Sequence, residues 1–327
     1  MVENIAFNVN EPKKNKVFGI VKKIWVSSYL AFMLISLVIF SSIISPYFLS
    51  KQNLVDVIAS NVTMSLLALG MFFVILTGGI DLSMGSIVAL SGCLLAGLLD
   101  GGMQWYFAVI ATMVLMIIPG AICGIAIGYA KIPPFIATLA MMTITRGLAY
   151  IYQVGSPKPI YDDSVIAIGN NLLLNDWIPL PLVILVGILI LSWFVLGWLP
   201  FGRRLYAIGD NIEAAYLSGL PVSRSLMSVY IISSLSSGLV GIILASRLTL
   251  GSALVGSGYE LDAIASVVLG GAALTGGKGN PWSTVLGAYT FGFIANILNL
   301  LGIGGYPQMI IKGIIIIAAL LAVQRKK

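Results

Sequence analysis

The sequence contains no histidine and only two cysteines in 327 residues. Without imidazole there is no Ser-His-Asp triad, no His-ligated metal and no histidine proton relay. Cys93 and Cys123 both lie inside apolar runs, where they read as small core residues and not as a disulfide or a thiolate cluster. No metal, no cofactor and no enzymatic site is therefore expected. Charge is scarce too. Only 9% of residues are charged, against about 25% in a soluble domain, too few to build a water-facing surface.

What fills the chain instead is 59% hydrophobic residues, at a mean hydropathy of +1.03. At about 20 apolar residues per bilayer crossing, the length admits some ten crossings. Apolar runs bounded by charge, Gly and Pro fall at about 25–44, 53–77, 83–99, 104–128, 133–154, 179–199, 224–247, 259–274, 282–301 and 306–323. The eighth is short and Gly-rich. The expected fold is all-α: a polytopic membrane bundle of about ten transmembrane helices. Residues 1–24 form a polar, basic tail, and 25–327 form a single transmembrane domain. The run after the tail ends in no small-residue cleavage pattern, so it reads as a retained first span.

If all ten segments cross, both termini lie on one side. Sorting the 18 Lys and Arg by that topology puts 13 on the side of the termini, among them Lys131, Arg203, Arg204, Arg224 and Lys278. Three (Lys51, Lys158, Arg247) lie opposite, and Arg146 and Lys312 fall inside spans. Basic residues are retained in the cytoplasm, so both termini are expected there, with the chain in a bacterial cytoplasmic membrane. Asp56, Asp100, Asp162, Asp163, Asp176, Glu260 and Asp262 sort outward. The net charge of +6 is thus a topology signal and not a nucleic-acid footprint. Trp25, Trp105, Trp177, Trp198 and Trp282 fall near span ends, as interfacial anchors do.

Two stretches read alike. Asp56-Val-Ile-Ala-Ser60 is echoed by Asp262-Ala-Ile-Ala-Ser266, and Leu76-Thr-Gly-Gly79 by Leu274-Thr-Gly-Gly277, with eight fewer residues between the motifs in the second copy. Both copies run the same way, which gives a parallel repeat about an axis along the membrane normal. Gly78, Gly79, Gly276 and Gly277 are then turns between spans or hinges that flex in transport. Gly276-Gly-Lys278 approaches a phosphate-binding loop, but Ala272 and Gly279 stand where that motif needs Gly and Ser or Thr. The chain has no nucleotide site of its own. Gly120, Gly124 and Gly128, four apart, mark a close-packed helix seam.

Residues 200–223 form the longest internal connection on the basic side. Asp210 can cap a helix whose third residue is Glu213, and Gly219 before Pro221 stops it. The expected product is a helix of about eight residues bearing Ile212, Ala215, Tyr216 and Leu217. So short a helix is marginal in water. It needs a surface, either a groove on a partner protein or this chain's own spans and the headgroups.

The stretch from Gly202 to Gly219, GRRLYAIGDNIEAAYLSG, resembles the coupling segment of bacterial ATP-binding-cassette importer permeases of the ribose, xylose, galactose and autoinducer-2 family. So do Leu-Thr-Gly-Gly-Ile-Asp-Leu-Ser at 76–83, Pro-Phe-Ile-Ala-Thr-Leu at 134–139 and Gly-Tyr-Glu-Leu-Asp-Ala-Ile-Ala at 258–265. The resemblance runs from about residue 25 to the C-terminus. It implies two paired permease chains, two separate ATPase subunits gripping the coupling segments, and an extracytoplasmic binding protein that delivers a sugar. Asp210, Glu213, Ala214, Ala215 and Gly219 would then be the ATPase contact. The alternative is a secondary transporter or channel working without ATP, whose ion relay of Asp, Glu or His is missing from the spans.

Arg146 and Lys312 are the cations inside spans, and Asp56, Glu260 and Asp262 begin outward-facing span ends nearby. Such groups either form ion pairs that fix packing or mark function. A neutral monosaccharide needs hydrogen-bond partners and no buried charge. Candidate path or binding-protein contacts are Asn61, Arg146, Glu260, Asp262 and Asn296, beside Thr63, Ser65, Thr138, Thr143 and Asn299. The outer loop 155–178 is a landing site for a delivery protein or a solvated connector.

Overall fold

The computed structural model describes residues 32–43 and 45–324, except the side chains of 312, 316 and 318–324. The basic tail, Trp25 with the start of the first span, and the side chain of Lys312 fall outside the described residues. The described chain is a helix bundle with two tiny strand pairs at one end. After α1 (Phe32–Ile43) come α2 (Lys51–Leu76), α3 (Met84–Asp100), α4 (Trp105–Leu115), α5 (Ile117–Gly128) and α6 (Pro134–Gln153). Then follow α7 (Asp163–Asn170), α8 (Leu180–Trp198), α9 (Pro200–Asp210), α10 (Ile212–Leu217) and α11 (Val222–Leu248). The chain closes with α12 (Tyr259–Leu269), α13 (Pro281–Leu300) and α14 (Gly305–Gln324). Among the described residues six helices, counting α4 and α5 as one span, are long and apolar enough to cross a membrane.

The apolar run at 104–128 holds two helices because Pro119 has no N–H to give the carbonyl of Leu115, and the ladder breaks there. Beside the break the carbonyl of Met116 accepts the Ser234 hydroxyl. Helix α11 stands at the centre, packed against α2, α3, α5 and α7. The glycine seam explains its tightest contact. A Cβ on Gly120 would meet the Tyr230 carbonyl at 2.7 Å, one on Gly124 the Cα of Met227 at 2.5 Å, and one on Gly128 the Ser223 carbonyl at 2.7 Å. Three glycines at four-residue spacing thus dock on successive turns of α11, which is how small residues bring helices together in lipid.

The segment 155–178 is a built structure. Its α7 is capped by Asp162, whose Oδ1 accepts the N–H groups of Ser164 and Val165. Ser246 on α11 donates to the Val165 carbonyl and accepts from the Gly169 N–H, while the Asn170 amide donates to the Ser246 carbonyl. Lys158–Pro159 pairs with Leu250–Gly251, and Lys158 bridges to Asp100 at 3.0 Å.

The repeat is unequal for a reason visible in the backbone. In the first copy α2 runs unbroken from Asp56 to Leu76, twenty steps along the helix or about 30 Å at 1.5 Å per residue. In the second, α12 is only 11 residues long and stops at Leu269, where Gly270 and Gly271 follow. The chain turns there, with the Gly271 N–H on the Val268 carbonyl and the Ala272 N–H on that of Val267, and reaches Leu274 through non-helical backbone. The eighth apolar run is a half-helix, and its broken backbone is tolerated because protein surrounds it: Ala272 is buried, and Gly270 sits against the Ser283 carbonyl of α13.

Candidate functional site

The two Thr-Gly-Gly turns meet. Each needs a left-handed residue, with φ +79° at Gly78 and +90° and +69° at Gly276 and Gly277. In the first copy the Gly79 N–H returns to the Val74 carbonyl and the Gly78 N–H to that of Ile75, a Schellman closure of α2. The turns are joined by the Gly277 N–H, which donates to the Leu76 carbonyl at 2.9 Å.

Into this junction the end of α9 inserts. A Cβ on Gly209 would lie 1.9 Å from the Leu76 oxygen and 2.3 Å from the Gly277 nitrogen. One on Gly276 would strike Gly209 and Gly78 at 2.8 and 2.9 Å. The connection 200–223 is therefore keyed, backbone to backbone, into both halves of the repeat at a single glycine. Tyr206, one turn back on α9, donates its hydroxyl to the Gly279 carbonyl at 3.1 Å. Burial pushes the Tyr206 phenol up, so it remains a neutral donor.

Beyond Gly209 the geometry corrects the sequence reading. The connection holds two helices, not one. Asp210 is the last residue of α9, and the cap of α10 is Asn211, whose Oδ1 accepts the Ala214 N–H at 2.9 Å. Asp210 and Asn211 are comparable caps by residue type; the extended backbone at Asn211 (φ −156°, ψ 107°) decides between them. Helix α10 is six residues and ends in a full Schellman motif: Gly219 at φ +76°, its N–H to the Tyr216 carbonyl, and the Leu220 N–H to that of Ala215. Ala215 faces inward and is buried, whereas Tyr216 is 72% and Leu217 84% exposed. Glu213 and Ala214 are exposed beside them. A capped helix too short to stand alone thus offers an aromatic and an aliphatic side chain outward from a rigid mount.

Above α10 opens a cleft of about 1070 Å³, walled by Gly78, Gly79, Lys131, Asp210, Glu213 and Tyr230 among others. Behind its wall lies a carboxylate that composition does not reveal. Asp81, fully buried, accepts the Ser233 hydroxyl at 2.6 Å and both the N–H and the hydroxyl of Ser83. It ties the α2–α3 turn to α11. The sign available in sequence was an acidic residue on the basic side, hemmed by Ile80 and Leu82 directly after the first Gly-Gly turn. For Gly209 the sign was a glycine inside an amphipathic helix, a cost of about 1 kcal/mol that close backbone approach explains.

At the opposite, acidic end, the other pair of repeat motifs lines a second cleft, of about 440 Å³. Asp56, Asn61 and Thr63 of α2, Tyr259 and Asp262 of α12, and Asn296 of α13 face it. The Asn296 amide donates to Asn53 Oδ1 at 2.9 Å, which leaves its buried Oδ1 without a partner. Such an acceptor costs about 1–3 kcal/mol. At the rim Gln308 donates to Asn299 Oδ1 at 2.7 Å.

Other expected path residues are elsewhere. Arg146 donates to the carbonyls of Ala253 and Val255 and lies within electrostatic reach of Glu260, contacts that fix packing. The Glu260 carboxylate lies against Gly85 of α3, away from the cleft. Thr138 bonds the Pro134 and Ile80 carbonyls, Thr143 bonds Leu139 on an exposed face, and Ser65 is sealed in the core. Among the described residues no group of three or more acidic or Cys side chains could hold a metal.

A polytopic bundle built on a parallel repeat, with a half-helix in one copy and clefts at both ends of the repeat interface, is the architecture of a membrane transport protein. The comparisons give the particular family. A family model described as branched-chain amino acid transport system / permease component matches residues 53–320, and the chain belongs to that family. It is a transport component and not an enzyme. Over 298 residues it is 41% identical to the ribose import permease protein RbsC of Bacillus subtilis, covering 89% of this chain and 90% of the relative. RbsC of Escherichia coli K12 is 37% identical over 302 residues, 90% of this chain and 92% of the relative. The L-arabinose transport system permease protein AraH of the same strain is 35% identical over 312 residues, 95% and 93%. No solved structure matches.

Proposed function

We propose that the chain is the membrane-spanning permease subunit of an ATP-binding-cassette importer for a monosaccharide, ribose or a related pentose or hexose. The relatives named for ribose and arabinose support the cargo class. Two ATPase subunits grip α10 through Glu213, Ala214 and the exposed Tyr216 and Leu217, with Ala215, Asp210 and Gly219 fixing its seat. A second permease chain completes the membrane unit, and an extracytoplasmic binding protein delivers the sugar at the acidic end. The basic end is cytoplasmic, as its Lys and Arg require, and both termini lie there.

The observation that carries this reading is the keying of Gly209 between Leu76 and Gly277. A push on α10 cannot move one half of the repeat without the other, because α9 touches both turns at backbone level. The Gly78, Gly79, Gly276 and Gly277 turns act as the hinge. Reconstitution in proteoliposomes tests it: ribose uptake should require ATP, the ATPase subunits and the binding protein together. Sustained ribose flux through this chain alone, without ATP, would refute it.

A further inference from the structure

The cleft at the acidic end sits where the two copies of the repeat face each other, with Asp56 and Asp262 as equivalent residues of the two copies. Its volume, about 440 Å³, lies in the range of small-molecule sites, and its polar groups converge from four helices. Three features define what it can hold. The partnerless Asn296 Oδ1 is an acceptor fixed in place by the amide's own bond to Asn53. The carboxylates add acceptors, and Arg247 lies within electrostatic reach of Asp56, which offsets part of the charge there. Gly292 makes room on α13: a Cβ there would overlap Asn61 Oδ1, so the missing side chain lets the Asn61 amide occupy the cleft floor.

Acceptors in excess suit a solute rich in hydroxyl donors, and Tyr259 supplies an aromatic wall for its C–H face. A branched-chain amino acid would find partners for its ammonium in Asp56 and Asp262 but would leave an aliphatic side chain among the amides of Asn61 and Asn296. We propose that this cleft is a binding site for a neutral polyhydroxylated solute, held by Asn296, Asn61 and the two repeat-related carboxylates under Tyr259. The site rests on the sugar-import reading and adds to it a station within the permease itself.

The test uses the assembled transporter in nanodiscs, carrying Asn299→Cys at the exposed rim. The native Cys93 and Cys123 are buried and stay silent to a membrane-impermeant maleimide. D-ribose is expected to slow labelling of the rim thiol, and L-leucine is expected not to. Adding Asn296→Leu should raise the ribose concentration needed about five- to hundredfold, the loss typical of one buried hydrogen bond. If that variant fails to assemble, the ribose-against-leucine comparison on Asn299→Cys alone decides. Ribose uptake without protection, or protection by leucine instead, overturns the site while uptake itself keeps the importer reading. Failure of the same preparation to take up ribose refutes that reading separately.

Discussion

Gly209→Val is the perturbation that reads the coupling geometry most sharply. The new Cβ would fall 1.9 Å from the Leu76 oxygen, about 1.5 Å inside ordinary contact, and both neighbours are backbone that cannot rotate away. The helix end must back out of the junction and break the Gly277 N–H to Leu76 bond. Overpacking costs about 1–3 kcal/mol and the lost bond about 0.5–1.5 kcal/mol. Together, about 2–4 kcal/mol shifts the seated connection against the unseated one by roughly thirtyfold to several hundredfold. In proteoliposomes containing the ATPase subunits and binding protein, ATP hydrolysis should persist while sugar transported per ATP falls at least tenfold. Gly147→Ala is the control, because a Cβ there meets nothing within 4 Å. It should leave the ratio unchanged and add at most about 1 kcal/mol of helix stability. A wild-type ratio in Gly209→Val would show that the junction transmits nothing.

Glu213→Lys should abolish uptake without affecting membrane insertion. So should Gly219→Pro, since proline cannot adopt φ +76° and removes the N–H that closes α10; vesicle uptake beside an immunoblot of the membrane fraction checks both. Asn211→Ala deletes the cap of α10 at a cost of about 0.5–2 kcal/mol. ATPase co-purification should weaken by up to about thirtyfold, and full retention would count against the docking role. Asp81→Ala leaves Ser233 and Ser83 without their buried acceptor. It should destabilise the chain by at least about 2 kcal/mol, seen as a lower melting temperature in nanodiscs, whereas an unchanged melt would show the cluster is idle.

The long helices were legible because apolar runs of bilayer length are a strong signal, and the packing seam because Gly120, Gly124 and Gly128 share one face. The broken second copy was not. Gly270 and Gly271 interrupt a helix without interrupting hydropathy, so a half-helix followed by turned, non-helical chain reads as one weak span. The capping shift from Asp210 to Asn211 escaped for a related reason: residue type permits either, and only the backbone angle chooses. At the acidic end the sequence supplied Asn61, Asp262 and Asn296, which the fold gathers into one cleft. It also supplied Arg146 and Glu260, which the fold places elsewhere. Amides and carboxylates declare their chemistry in a sequence, but their company depends on the turn on which each helix places them.

The central claim is that α10 is the surface on which ATPase motion acts. A photoreactive side chain placed at Tyr216, which is 72% exposed, would test it in a transporter reconstituted from the permease, its ATPase and the binding protein. Illumination should join the permease to the ATPase subunit, with a yield that changes between the nucleotide-free and ATP-trapped states. Adducts only with lipid or with the permease's own helices would contradict the account.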